Sequence, residues 1–196
     1  MSLIKTISKE AINDLPQVEF RGAIDLIEDN AQALAALRTL STERVLGFDT
    51  ETRPSFSVGE VYPVSLLQLA TADHAYLFRL NKMPSFPQEL ADLLANPNII
   101  KAGVAIHDDV KGLQKLKPFV AGGFVDLSVE AKKMGVTTFG LRALTAIFLG
   151  ERLSKAAKLT KWDQRYLSEA QLHYAANDAV VGFKIFEKME GLKRHG

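Results

Sequence analysis

The sequence predicts an α/β domain, a mixed sheet of five to six strands flanked by helices. Two observations lead there. Short apolar runs of strand length alternate with longer stretches whose apolar residues recur at helical spacing. Three of the strand candidates follow one another on short links, which suits antiparallel neighbours, whereas the later ones arrive only after helices. The chain has 196 residues, 47% apolar and 24% charged, with no internal repeat, in the range of one soluble globular domain able to bury its own core. Residues 1–18 are expected to form a helical extension, 19–190 the domain and 191–196 a tail.

In chain order, Ser8–Leu15 reads as a short helix. Glu19–Ile27 reads as an edge strand with Phe20, Ala23 and Ile27 separated by polar positions. Asp29 or Asn30 caps a helix to about Leu40, with Ala31, Leu34, Leu37 and Leu40 as its stripe. Val45–Glu51, Val64–Ala70 and Ala75–Phe78 are the three closely linked strands. A helix follows near Pro87–Leu94, with Pro87 in its first turn. Asn98–Val104 reads as a buried strand, Asp108–Leu116 as a helix, and Phe124–Asp126 as a short strand. The remainder is helical: Ser128–Met134, Gly140–Leu149 and Ser168–Glu190. Ser168 followed by Gln171 is a capping-box pattern.

Charge and composition exclude several classes. The formal net charge is +1, so the chain does not coat a polyanion through bulk charge. There is no cysteine, which removes disulfides, zinc–thiolate sites and cysteine nucleophiles and fits a reducing, cytoplasmic setting. No secretory segment and no apolar run near ~20 residues is present, so no membrane partner is expected. Oligomeric state is left open.

Three segments carry chemistry. In Leu46-Gly47-Phe48-Asp49-Thr50-Glu51-Thr52, two acids at i and i+2 of a strand share one face. Burying both is costly unless a cation neutralises them, and hard oxygen ligands favour Mg²⁺ or Mn²⁺. Alone, the pair reads equally well as two solvated acids at a strand end. In Lys101–Val110 a strand runs into a helix start bearing Asp108 and Asp109. Asp109 precedes Leu113 by four residues and so shares the inward stripe of Val110, Leu113 and Leu116, whereas Asp108 reads as a cap or first-turn acid. In His173-Tyr174-Ala175-Ala176-Asn177-Asp178, Tyr174 and Asp178 stack at i and i+4, and the alanines let the helix approach the sheet. His107 and His173 sit beside these residues; one helical step turns His173 about 100° from Tyr174, and neither is assigned a role. Lys155, Lys158, Lys161 and Arg165 form a basic loop, by default solvated, able to steer a phosphate backbone. Trp162 within it reads better as a packing anchor than as a base-stacking platform.

Taken together, in this order, these segments resemble the tyrosine-containing subclass of the DEDD 3′→5′ exonucleases, which includes ribonuclease D, the proofreading domain of bacterial DNA polymerase I and the exonuclease domain of the Werner helicase. The resemblance spans about Phe20 to Phe186. Phe48–Thr52 is similar to the first motif, Val64–Leu69 to the strand after it, and Gly140–Leu144, Trp162, Leu167-Ser168 and Tyr174–Asp178 to the ribonuclease D and Werner branch. Ala105 and Ile106 stand near where proofreading domains often carry an asparagine, which points to the same branch.

The resemblance implies a ribonuclease-H-like fold and two Mg²⁺ or Mn²⁺ ions per site. Asp49 would bridge them, Glu51 and Asp178 would hold the nucleophile-side ion, Asp109 would bind near the second, and Tyr174 would place the attacking water. Thr52 would contact the terminal nucleotide; beside it, Lys158, Lys161 and Arg165 are read from the basic loop itself as substrate contacts. The implied partner is a nucleic acid with a free 3′ end, single-stranded DNA or RNA, and the product a nucleoside 5′-monophosphate. The alternatives are a nucleic-acid-binding module with weak or no activity, and a fold of this type unconnected with nucleic acid. The length leaves no room for a helicase or an accessory helical RNA-binding domain, so a stand-alone nuclease domain or a piece of a longer protein is expected.

Overall fold

The structure, a computed structural model, describes residues 3–57, 59–154 and 160–194. The elements are α1 (Lys9–Asn13), β1 (Ala23–Ile27), α2 (Asn30–Leu40), β2 (Val45–Thr52), β3 (Val64–Ala70), β4 (His74–Phe78), α3 (Gln88–Ala95), β5 (Ile100–Gly103), α4 (His107–Leu116), β6 (Phe124–Asp126), α5 (Leu127–Lys133), α6 (Leu141–Leu149) and α7 (Glu169–Arg194). The strands form one six-stranded sheet in the order β1-β4-β3-β2-β5-β6. β2, β3 and β4 pair antiparallel, as their short links require, while β1, β5 and β6 join in parallel, the latter two through helices.

The sheet is apolar on both faces because helices cover both. On one face Phe48, Leu67, Leu69, Tyr76 and Phe78 pack with Leu37 and Leu40 of α2, Leu90 and Leu94 of α3 and Leu113 of α4. On the other, Ala102 packs with Leu127, Leu144, Ile147, Val181, Ile185 and Met189 from α5, α6 and α7. Each buried leucine or isoleucine contributes about 1.5–3 kcal/mol.

Several expectations shift. The first strand begins at Ala23 rather than Glu19, because residues before it bond elsewhere: Val18 N–H donates to the Arg152 carbonyl at 2.9 Å and Phe20 N–H to Asn177 Oδ1 at 3.2 Å. Asp29 caps α2 as read, its side chain accepting from Gln32 N–H. The buried face of α2 is Ala33, Ala36, Leu37 and Leu40, with Leu34 38% exposed. A strict three-residue spacing drifts about 60° per step and leaves the core face within two turns. For the same reason Leu116 of α4 is 37% exposed while Leu113 is fully buried. Pro87 stands at the N-cap of α3, one place outside the helix. α7 runs on to Arg194, past the expected end at Glu190. The capping box of α7 is formed: Gln171 N–H donates to Ser168 Oγ at 3.3 Å and Ser168 N–H to Gln171 Oε1 at 3.0 Å. Among the described residues no helix is long and apolar enough to cross a membrane.

Candidate active site

α7 lies unusually close to β2, and small residues are the cause. A Cβ built on Gly47 would stand 1.8 Å from the Ala179 carbonyl oxygen, and one on Gly182 would stand 2.8 Å from that of Ala102. Ala175, Ala176 and Ala179 are fully buried. Odd-numbered residues of β2 therefore face α7, and Asp49 and Glu51 follow Gly47 on that face.

Opposite them stand Tyr174 and Asp178. Tyr174 lies beside Asp178, which is 6% exposed, and the two line one cavity. Burial pushes the Tyr174 phenol far above its ordinary value, and the negative charges of Asp178, Glu51 and Asp49 push it further. The phenol is thus favoured in its protonated form. Asp49 Oδ1 accepts from Thr50 N–H at 2.9 Å.

Asp109 approaches from the other face. Ala105 adopts φ 59°, and its N–H donates to Asp126 Oδ1 at 3.1 Å, turning the chain from β5 into α4. Asp109 in the first turn of α4 then accepts from the Thr50 hydroxyl. Burial raises its carboxyl above the usual range, opposed by the Thr50 bond and reinforced by Asp108 and Asp126. Asp108 is exposed while Asp109 is half-buried, the difference expected from their faces on α4.

Asp49, Glu51, Tyr174 and Asp178 are thus grouped beneath α7, with Asp109 across the strand end from them. Among the described residues no three His, Asp or Glu side chains converge as a ready-made metal cage. The donor set itself fits hard divalent cations, being carboxylate oxygens brought to the end of one strand from both faces of the sheet.

Two cavities open beside these residues. One of about 790 Å³ is bounded by Tyr174, Asp178, Thr160, Arg142, Phe139 and Ile12. The other, about 550 Å³, is bounded by Thr50, Thr52, Asp109, Tyr62, Lys111 and Lys115. Lys161 and Arg165 are exposed; Lys155 and Lys158 lie outside the described residues. Trp162 is fully buried against Leu66, Leu77 and Ala175, its ring 6.0 Å from that of Tyr174, so it is a packing anchor. His107 and His173 are exposed.

Sequence reasoning passed over Thr50 and Arg79. Thr50 stands between two acids and must face the opposite side of β2, which was the available signal. Arg79 is 1% exposed. Its guanidinium donates to Glu28 Oε1 at 2.8 Å, to the Arg165 carbonyl at 3.1 Å and to the Gln164 carbonyl, holding the loop before α7. Asn81 Nδ2 donates to the Asp163 carbonyl at 3.1 Å in the same loop.

The comparisons with known proteins agree on one family. A sequence model described as 3′-5′ exonuclease matches residues 24–192. The chain is 34% identical over 197 residues to the Mus musculus protein named bifunctional 3′-5′ exonuclease/ATP-dependent helicase WRN, covering 95% of this chain and 14% of that protein. It is 31% identical over 192 residues to exonuclease 3′-5′ domain-containing protein 2 of Drosophila melanogaster, covering 96% of this chain and 31% of that protein. Both curated relatives are therefore far longer than the stretch this chain spans. In fold it is similar to the Aedes aegypti Nibbler EXO domain, with TM-score 0.80, 24% identity, and coverage of 92% of this chain and 93% of that one. The mixed sheet is accordingly of the ribonuclease-H-like type.

Proposed function

The chain belongs to the 3′-5′ exonuclease family, and from that membership we propose that it hydrolyses phosphodiester bonds from the free 3′ end of DNA or RNA, releasing nucleoside 5′-monophosphates. The observation that carries this reading is Tyr174 standing beside Asp178 within the field of Glu51 and Asp49. It sets a water-orienting group beside the acids that such hydrolysis needs.

Asp49, Glu51, Asp109 and Asp178 would hold two Mg²⁺ or Mn²⁺ ions, which when bound supply the positive charge that activates water and stabilises the leaving 3′ oxygen. Tyr174, kept protonated, orients the attacking water by a hydrogen bond and takes no proton from it. Asp178, one helical turn from Tyr174 on the same face of α7, would orient that hydroxyl. Thr50 fixes Asp109 in turn. Thr52, at the mouth of the cavity shared with Asp109, contacts the terminal nucleotide. Lys161 and Arg165 steer the phosphate backbone from the loop before α7, and Lys158, a few residues earlier in the chain, shares that role.

The test is a panel of 5′-labelled single-stranded and recessed DNA and RNA with Mg²⁺ and Mn²⁺ compared. Stepwise shortening from the 3′ end with mononucleotide release is expected, and Asp49→Ala should lower the rate by at least about a thousandfold. Retained release by Asp49→Ala would sink the mechanism. Binding without release by the native protein, on every substrate, would favour a binding module.

A further inference from the structure

Gln68 sits in the middle of β3 and is fully buried. Neither its amide oxygen nor its amide nitrogen finds a hydrogen-bond partner among the described residues. Its neighbours along the same face of β3 are Leu66 and Ala70, and on β4 it pairs with Leu77. The helix above that face contributes Ala175, Ala176 and Ala179. In such surroundings a leucine would be less costly than an amide, because every polar atom buried without a partner loses its hydration for nothing.

Across β2–β3 the residue in register with Gln68 is Asp49, and Glu51, paired with Leu66, is the diagonal neighbour. Residues directly opposite in an antiparallel pair carry their Cβ atoms about 4.5–5.5 Å apart on the same face, and diagonal ones stay within reach of a long side chain. The two carboxylates are thus the nearest polar side chains that the pairing offers to Gln68.

We propose that Gln68 is a positioning residue for the acids on β2, its amide Nε2, which has no partner among the described residues, donating to the Asp49 carboxylate when that carboxylate turns to a bound cation. Thr50 N–H already holds Asp49 Oδ1 at 2.9 Å. A second donor from the neighbouring strand fixes the plane of the carboxylate, so that its oxygens are presented in one orientation to an incoming cation. Groups that orient a metal ligand in this way act on affinity rather than on the fold. The inference rests on the reading of Asp49 and Glu51 as metal ligands.

The test uses the full chain and Mn²⁺ alone. Gln68→Met keeps the length and volume of the side chain and removes both polar atoms. Calorimetric titration should give an Mn²⁺ affinity lower by about tenfold, while the thermal midpoint stays level or rises. In the nuclease assay the Mn²⁺ concentration for half-maximal rate should rise by the same factor. Gln68→Leu carries the same comparison where the methionine side chain does not pack. An Mn²⁺ affinity within twofold of the native chain, in a variant that folds, would overturn the inference. So would a lowered midpoint with an unmoved Mn²⁺ dependence, the pattern of a merely structural amide. A native chain that binds no Mn²⁺ at all would overturn the underlying metal reading as well.

Discussion

The Thr50 hydroxyl donates to the carboxylate of Asp109, joining the first turn of α4 to the face of β2 that points away from Asp49 and Glu51. One strand therefore serves both sides of the site: its odd residues present two acids to α7, and its even residue holds a third acid from the opposite layer.

Thr50→Val keeps the β-branched shape and removes the donor. The half-buried Asp109 carboxylate then lacks its side-chain partner, and stability should fall by about 1–3 kcal/mol. Thr50→Ser should restore most of it. Urea denaturation of the three proteins decides, with an unchanged slope as the sign that only the native state is affected.

Tyr174→Phe removes the hydroxyl that lies beside Asp178 and leaves the ring packed near Trp162. A positioning role predicts kcat lower by about ten- to a hundredfold, with the mononucleotide still the product. Fold loss should be small, about 1 kcal/mol for one hydrogen bond. A kcat equal to the native value would remove Tyr174 from the mechanism.

Arg79 holds the loop before α7 through two backbone carbonyls as well as the half-exposed Glu28. Arg79→Met should cost about 1–3 kcal/mol, because two part-buried carbonyls lose a charged donor. Arg79→Lys should not rescue it, since an ammonium cannot span the forked set of acceptors. Hydrogen exchange in residues 160–167 should quicken in both variants.

Lys101 is a buried cation far from the acids. Its ammonium donates to the carbonyls of Leu93 at 3.1 Å and Asn96 at 2.8 Å, closing the C-terminal end of α3. Burial lowers its pKa from 10.5 to about 8. In the window between these values the unfolded chain binds more protons than the folded one, so stability rises with pH. The Lys101 contribution should add about 2 kcal/mol between pH 7.5 and 9.5. Urea midpoints at the two pH values should show this rise in the native chain and lack it in Lys101→Met.

The local grammar of the chain was legible. A short apolar run placed Val64–Ala70 with its observed bounds, and the i and i+2 spacing set Asp49 and Glu51 on one face of β2. The i and i+4 spacing stacked Tyr174 on Asp178, and Ser168 with Gln171 marked the start of α7. These are relations between residues a few positions apart, whose geometry follows from the pitch of a helix or the pleat of a strand.

What the tertiary structure alone decided joins residues far apart in the chain. The buried stripe of α2 drifted from the expected one because the core face depends on where the helix axis meets the sheet. Register across β2–β3 set Gln68 opposite Asp49, packing of α4 brought Asp109 to Thr50, and Arg79 reached the loop before α7. The sequence by itself put the candidate acids and the tyrosine on shared faces of their elements, because local periodicity is written residue by residue. Only the tertiary structure decided which neutral side chains hold those acids in place, because such partners are selected by close packing between layers and leave no spacing in the chain to read.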